Sequence, residues 1–358
     1  MSDISETSDA ILAAFQTQVE WCAHLGSPFT AAVLRAMIGE LQPGAPLAEI
    51  IGAWPGDPMT DVLPLRVAGA LHALVLAGAA PELAAVYPPH ELPDDASLRA
   101  VLVNALRHHR GFIKRFIESP PQTNEVGRSA VLLGGFFEIA AATGLPLRLL
   151  EIGASAGLNL LWDRFYYRLG DADWGDPASP VHLAPLWQGG LPPLATPIRV
   201  ASRTGCDLNP IDVTDDEQAL RLRAYVWADQ TDRRTRLDGA IALAHRHHVT
   251  IERTNATDFL RRHLAAPTLG QATVIYHSIV WNYVSDADKA AIVKVVRDAA
   301  QRATPASPLA WLRFELKSKD QYPELDLTLW PNGQNKRLAV ANPHGASVAW
   351  LPLGETET

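Results

Sequence analysis

The chain contains 358 residues, of which 47% are apolar and 20% are charged, and its formal charge is −8. This composition is typical of a globular protein with a buried core and excludes a disordered or fibrous chain. The net negative charge disfavours a nucleic acid partner, because binding to phosphate backbones needs concentrated lysine and arginine. The N-terminus is acidic and no run of about 18 uncharged apolar residues occurs, so we expect a cytoplasmic protein without a membrane partner.

The first 145 residues carry apolar side chains at spacings of three and four, which predicts helices. Breaks rich in proline and glycine separate these stretches. The predicted helices are Ile11–Leu25, Pro28–Leu41, Val67–Leu76, Ser97–Ile117 and Ser129–Ala142. We therefore predict an all-helical N-terminal domain over residues 1–145.

From Pro146 onward, short β-branched or leucine-rich runs alternate with helical stretches. The runs are LRLLEI, IRVASRTGCDL, VTIERT, ATVIYHSIV, LAWLRFEL and LDLTLW, and this alternation predicts parallel crossovers in a doubly wound α/β sheet over residues 146–358. The last two runs, LAVA and SVAWL, are joined by NPHG and predict an antiparallel hairpin. Asp171–Pro197 is rich in proline and glycine, and it predicts a long irregular loop.

The stretch Glu151–Gly157 reads E-x-G-x-S-x-G and fits two kinds of site. Its second part is the G-x-S-x-G elbow of a serine hydrolase, with Ser155 as the nucleophile. Asp326 and His344 keep the chain order of such a triad, although no strand precedes the elbow and no HGG-type segment lies upstream. The same stretch is one substitution from the E/D-x-G-x-G-x-G loop of methyltransferases. A dinucleotide loop would need glycine at position 158, where Leu158 stands.

Polar residues stand at the ends of the next three predicted strands, where open α/β sheets bind their ligands. They are Asp207 and Asn209 after the second strand, Thr257 and Asp258 after the third, and His277, Ser278, Trp281, Asn282 and Tyr283 after the fourth. Asp207 is placed to accept hydrogen bonds from two ribose hydroxyls. Alternatively, Asp207 is the N-cap of a helix after Pro210, and Asp258 begins a helix.

Two further polar clusters fit local roles. Gln122–Arg128, QTNEVGR, precedes a predicted helix and is interpreted as a cap, with Glu125 and Arg128 on a solvated face. The histidines of AHRHHV, residues 244–249, are interpreted as a solvated helix end. No metal site is predicted, because this cluster has no carboxylate or cysteine partner.

The order of these elements resembles the fold of class I S-adenosylmethionine-dependent methyltransferases. The strings TNEVGR, LLEIGASAGLNLLWDRF, GCDLNP, YHSIVWNY and NPHG resemble an uncharacterised bacterial family, domain of unknown function 2332, over nearly the whole chain. The resemblance implies a Rossmann-like sheet of seven strands over residues 146–358 that binds S-adenosylmethionine. Residues 1–145 would then form a lid and substrate domain.

Carried over residue by residue, the resemblance implies a cofactor site and candidate bases. The implied cofactor residues are Glu151, Gly153, Ser155, Gly157, Asn159, Asp207, Asn209, Thr257, Asp258 and Ser278, and the candidate catalytic residues are His277, Tyr283 and Glu125. Ser155 departs from the usual glycine and narrows the loop. We expect methyl transfer to a small or medium-sized acceptor. The alternatives are a non-catalytic cofactor-binding or interaction protein on the same fold, and a serine hydrolase.

Overall fold

The computed structural model describes the backbone of residues 2–52, 54–318 and 321–352, and side chains from residue 9 onward. The α-helices in chain order are α1 (Ser2–His24), α2 (Pro28–Ile38), α3 (Pro46–Ile51), α4 (Leu63–Leu76), α5 (Pro81–Ala84), α6 (Asp95–His108), α7 (Arg110–Ile117), α8 (Ser129–Thr143), α9 (Asp216–Ala224), α10 (Thr231–Arg246), α11 (Ala256–His263) and α12 (Asp286–Ala300). Short 3-10 helices span Val126–Arg128, Leu158–Arg164 and Trp281–Tyr283.

The strands are β1 (Leu147–Ile152), β2 (Tyr166–Leu169), β3 (Ala172–Trp174), β4 (His182–Leu183), β5 (Leu186–Gly189), β6 (Val200–Asp207), β7 (Thr250–Arg253), β8 (Ala272–Ser278), β9 (Leu309–Glu315), β10 (Glu324–Trp330), β11 (Gln334–Ala341) and β12 (Ser347–Trp350). All eight strands predicted from β-branched or leucine-rich runs are present. The predicted irregular loop is wrong in part, because β3, β4 and β5 lie within it.

The chain divides into two compact units, at boundaries that differ from the predicted one at residue 145. Unit 1 consists of residues 1–123 and 215–234, and unit 2 consists of residues 124–214 and 235–358. Helix α8 belongs to unit 2 because it packs on β8, β9, β10 and β11. Helix α9 belongs to unit 1, where Ala224 and Tyr225 join the apolar core.

Unit 1 contains the predicted helices α1, α2 and α4, together with α3, α5 and α9, which apolar spacing did not predict. Phe15, Leu34 and Leu71 are fully buried in its core. The predicted single helix Ser97–Ile117 is broken between α6 and α7. The start of α2 is capped by Asp229, whose carboxylate accepts the hydroxyl of the residue before the helix and a backbone N–H of its first turn. The segment 215–234, which is far from residues 1–123 in sequence, therefore contributes the cap of α2 to this unit.

Unit 2 contains a sheet of nine strands in the order β5-β12-β11-β10-β9-β8-β1-β6-β7. The strands from β7 to β9 in this order are parallel, whereas β9, β10, β11 and β12 form an antiparallel meander. The predicted hairpin of β11 and β12 is confirmed. The prediction of seven strands is wrong, because the meander continues the sheet and β5, from the predicted loop, pairs with its last strand.

Helices cover both faces of this sheet, so the mixed α/β prediction is confirmed. Successive side chains of a strand point to opposite faces. Leu150, Ile275 and Trp311 share an apolar cluster with residues of α11 and α12. On the opposite face, the ring of Tyr276 packs edge-on against Phe136 of α8 at 5.2 Å.

The segment after β1 is a 3-10 helix, Leu158–Arg164. Its residues from Leu158 to Trp162 are all buried, and Leu161 departs from helical backbone angles. The Trp162 ring stacks on Phe136 of α8 at 4.4 Å. A segment that is buried on every side presents no solvated face, so the pattern of a surface helix does not apply to it.

Residues 126–143 are long and apolar enough to cross a membrane by length and composition alone. They comprise a 3-10 turn and α8, and 72% of this segment is buried inside the structure. Core helices of globular proteins share this composition, because they are apolar all round. The apolar character of α8 therefore follows from its place against the sheet.

Candidate functional site

The loop after β1 is a tight turn with positive backbone angles. Gly153, Ser155 and Gly157 have φ values of +66°, +53° and +73°, in the left-handed region that favours glycine. A Cβ at Gly153 would lie 2.4 Å from the side chain of Val280. A Cβ at Gly157 would lie 2.6 Å from Ile251. Both glycines are therefore required, by backbone conformation and by close neighbours.

Asp207 ends β6 beside this loop, and its half-buried carboxylate holds the loop in place. Oδ2 accepts the backbone N–H of Ser155 at 2.9 Å, and Oδ1 accepts that of Asn209 at 2.8 Å. The interpretation of Asp207 as a helix N-cap is wrong, because the next helix begins at Asp216 and is capped by Asp215. A carboxylate offers about four acceptor positions. Asp207 therefore has acceptor capacity for two further donors.

Among the described residues, no general base accepts a hydrogen bond from the Ser155 hydroxyl. Its Oγ is buried and makes no hydrogen bond within the described part of the chain, whereas a nucleophilic serine needs a base within hydrogen-bond reach. Asp326 lies 3.3 Å from Lys317 Nζ, and His344 Nδ1 lies 3.9 Å from a carboxylate oxygen of Glu125. The serine, aspartate and histidine that keep the hydrolase chain order therefore do not form a hydrogen-bonded triad.

Asn124–Arg128 lies at the same edge of the sheet. Glu125 is only 5% exposed, so the prediction that it lies on a solvated face is wrong. Asn124 Oδ1 accepts the N–H of Leu158 at 2.9 Å, directly after the glycine loop. The cap was predicted at Thr123 or Asn124, but Glu125 provides it: its Oε1 accepts the N–H of Gly127 at 3.0 Å at the start of the 3-10 turn.

Arg128 joins this segment to two other sequence motifs. Its Nη1 donates to the carbonyl of Ser278 at the end of β8, at 3.1 Å, and its Nε donates to the carbonyl of Pro343 in NPHG, at 3.0 Å. The amide of Asn159 donates to the carbonyl of Glu125 at 3.2 Å. Four of the strings that carry the family resemblance therefore meet at the carboxyl ends of β1 and β8.

Glu151 is an interior group in this arrangement. It is 2% exposed, and the Tyr276 hydroxyl donates to its Oε2 at 3.1 Å. Burial raises the pKa of Glu151 from 4.5 to about 8, against the opposing effect of the Tyr276 hydrogen bond. The carboxyl group is therefore mainly protonated at neutral pH and adds no full negative charge near Asp207.

His277 forms a buried pair with a residue that the sequence did not indicate. Its Nδ1 lies 2.7 Å from Oε1 of Glu315. The carboxylate of Glu315 also accepts the backbone N–H groups of Val280 and Trp281, both at 3.1 Å. This carboxylate favours a proton on Nδ1, which leaves Nε2 as the acceptor. Strand alternation turns His277 to the face of α12, opposite to Tyr276.

The remaining predicted site residues differ in solvent exposure and in whether their side chains are already hydrogen-bonded. Tyr283 is 78% exposed, whereas Thr257 is buried in α11. The alternative that Asp258 begins a helix is confirmed, since it lies in the first turn of α11, which Asn255 caps. Hydrogen bonds from Asn255, and then from Arg261, lower the pKa of Asp258. Its carboxylate is therefore already engaged within its own helix.

The histidines of residues 244–249 lie at the end of α10, as predicted, and His245 and His248 are exposed. Within residues 2–52, 54–318 and 321–352, no group of three or more histidine, cysteine or carboxylate side chains is placed to hold a metal ion.

The fold and this site define a mixed α/β protein whose sequence motifs gather at the carboxyl ends of parallel strands. The chain belongs to the family described as "Uncharacterized protein conserved in bacteria (DUF2332)", whose model matches residues 12–350. No curated protein and no solved structure matches it.

Proposed function

We propose that the chain is a cytoplasmic methyltransferase that binds S-adenosylmethionine at the carboxyl ends of β1 and β6. The observation that carries the proposal is the contact of Asp207 with the glycine loop: its carboxylate accepts the Ser155 N–H at 2.9 Å. This contact brings an acceptor for ribose hydroxyls against the backbone turn of the glycine loop. The acceptor substrate would be small or medium-sized.

The strand order supports this proposal. Numbered along the chain, the five parallel strands have the order 3-2-1-4-5, which is the order of the Rossmann fold. In such sheets ligands bind outside the carboxyl ends, where the order reverses, and here that point lies between β1 and β8. We infer a class I methyltransferase-like sheet in which the meander replaces the usual last strands.

The side chains of the protein contribute little chemical activation in such a reaction. S-adenosylmethionine supplies an already activated methyl group, so alignment of the acceptor dominates. Gly153 and Gly157 permit the left-handed turn of the loop, and Asp207 holds the ribose. His277 is the preferred base, because Glu315 orients it and leaves Nε2 as an acceptor. Asn209, Thr257, Asp258, Ser278, Glu125 and Tyr283 remain candidates at the same edge.

Calorimetric titration with S-adenosylmethionine and its demethylated product tests the proposal, with NADH as the control ligand. We expect binding of both compounds and a loss of about 10 to 100-fold in affinity for Asp207→Ala, which removes charge-assisted hydrogen bonds. Asp207→Asn should be milder, since an amide oxygen still accepts. Asp176→Asn is the matched control, because Asp176 is exposed and its side chain accepts the backbone N–H of Ala178 within its own turn.

Asp207→Ala also loses hydrogen bonds from two backbone N–H groups. We therefore expect its free energy of unfolding to be about 1–3 kcal/mol lower than that of the wild type. Titrations are therefore made well below the melting temperature of each variant. Absence of binding to the wild type at millimolar ligand would refute the proposal. Unchanged affinity in folded Asp207→Ala would remove Asp207 from the site.

A further inference from the structure

A cavity of about 800 Å³ lies in unit 2, on the face of β9 and β10 that is turned toward α12. Its volume is within the usual range of small-molecule sites. The indoles of Trp281, Trp311 and Trp330 line it together with His277 and several charged side chains. The cavity therefore combines flat apolar walls with polar groups.

Strand register explains this lining. On β9, Trp311 and Arg313 point to the same face, and on β10 their direct partners are Thr328 and Asp326. Trp311 belongs to the apolar cluster under α12, whereas Arg313 lies two residues further along the strand. Along this face of β9, the apolar side chain of Trp311 is therefore followed by the charged side chain of Arg313.

Four polar atoms of the lining residues are buried and have no hydrogen-bond partner in the described residues. They are His277 Nε2, Trp311 Nε1, Arg313 Nε and Asp326 Oδ1. Three of the four residues are buried: His277 is fully buried, and Trp311 and Asp326 are 6% and 8% exposed. Buried polar groups are normally paired, so a cluster of four on one cavity indicates a ligand that pairs with them.

The charges of the cavity define the ligand further. Asp326 is offset by Lys317, whose Nζ lies 3.3 Å from its Oδ2. Arg297 lines the cavity from α12, is exposed, and makes no ion pair or hydrogen bond with the described residues. Arg313 lies over the Trp311 ring at 4.9 Å, and burial lowers its pKa. Asp326, the cross-strand partner of Arg313, already offsets part of the Arg313 charge. An anionic group on the ligand would compensate Arg297 and accept a hydrogen bond from Nε of Arg313.

The aromatic walls define its shape. The Trp281 and Trp311 rings meet edge to face at 5.9 Å, and the His277 ring stacks on Trp281 at 4.9 Å. Such surfaces favour a planar ring. We propose that this cavity binds a small aromatic carboxylate with a ring hydroxyl. The carboxylate pairs with the arginines and the Trp311 N–H, and the hydroxyl donates to Asp326 or His277.

This site needs no S-adenosylmethionine, so its test is independent of the proposed methyl transfer. The probe is 4-hydroxybenzoate, titrated calorimetrically into the full chain. Benzoate lacks the hydroxyl donor, and cyclohexanecarboxylate lacks the flat ring. We expect each to bind about tenfold or more weakly than the probe, since each loses one of the pairings described.

Arg297→Gln tests the anion contact without disturbing the fold, because the Arg297 side chain is exposed and makes no ion pair or hydrogen bond with the described residues. We expect a loss of about tenfold or more in affinity for 4-hydroxybenzoate. Lys294→Gln, on the same helix but outside the cavity, is the matched control and should bind like the wild type. Equal binding of the three carboxylates, unchanged affinity in Arg297→Gln, or no binding at millimolar probe would each overturn the proposal.

Discussion

The buried carboxyl group of Glu151 predicts a stability that falls as pH rises. The folded protein holds a proton on this group up to about pH 8, whereas the unfolded chain releases it near pH 4.5. Between these values the folded state binds more protons, so the free energy of unfolding decreases with increasing pH. At about 1.4 kcal/mol per pH unit, the full decrease is about 5 kcal/mol, of which about 3 kcal/mol has accrued by pH 7.

Glu151→Gln removes this titration and keeps an oxygen that accepts the Tyr276 hydroxyl. We therefore expect the variant to gain stability relative to the wild type as pH rises, by several kcal/mol between pH 5 and pH 8. Urea unfolding followed by circular dichroism at four pH values in this range measures the difference. Local rearrangement that hydrates the ionised carboxylate makes about 5 kcal/mol an upper bound.

The control for this experiment is Asp286→Asn, because the Asp286 side chain is 99% exposed at the start of α12. Its pH profile should parallel that of the wild type. If Glu151→Gln also gave a parallel profile from pH 5 to pH 8, the carboxyl group would be ionised in the folded state, and the assignment of Glu151 as a neutral interior group would be refuted.

Three further changes have defined expectations. Asp229→Ala removes two hydrogen bonds at the start of α2 and should cost about 1–3 kcal/mol in chemical unfolding; an unchanged midpoint would contradict the cap. Arg203 and Asp163 form a bidentate pair at 2.6 and 2.9 Å, so a double-mutant cycle with Arg203→Met and Asp163→Asn should give a coupling of about 1–3 kcal/mol rather than zero. Ser155→Gly should raise the free energy of unfolding by about 0.5–1 kcal/mol, because glycine adopts positive φ without strain. A fluorophosphonate probe should leave wild-type Ser155 unlabelled, and labelling of Ser155 would support the serine hydrolase hypothesis instead.

Local patterns predicted most of the elements because their causes are local. Apolar spacing predicts α1, α2 and α4, and β-branched runs predict the strands of the central sheet. The 3-10 segment after β1 has no amphipathic pattern, because its residues from Leu158 to Trp162 are all buried. The count of seven strands failed because the resemblance carried no information about the meander or about β5.

The candidate site was harder to predict, because its contacts join distant segments. Glu125 was expected in solvent, since charged residues before a helix usually are, but it is buried where Asn159 and the NPHG turn approach it. Glu315 lies outside every motif recognised in the sequence. Its pairing with His277 depends on the register of β8 and β9, which a single sequence does not specify.

The discontinuity of unit 1 has a consequence for synthesis on the ribosome. Residues 1–123 leave the exit tunnel first, but the cap from Asp229 and the core residues Ala224, Tyr225 and Ala228 belong to the returning segment 215–234. At about 5–20 residues per second, the 111 residues from position 123 to position 234 take on the order of 5 to 20 seconds to translate. During that interval the emerging helices expose apolar surface that a chaperone could bind, and all of unit 2 up to residue 214 has been made before unit 1 can close.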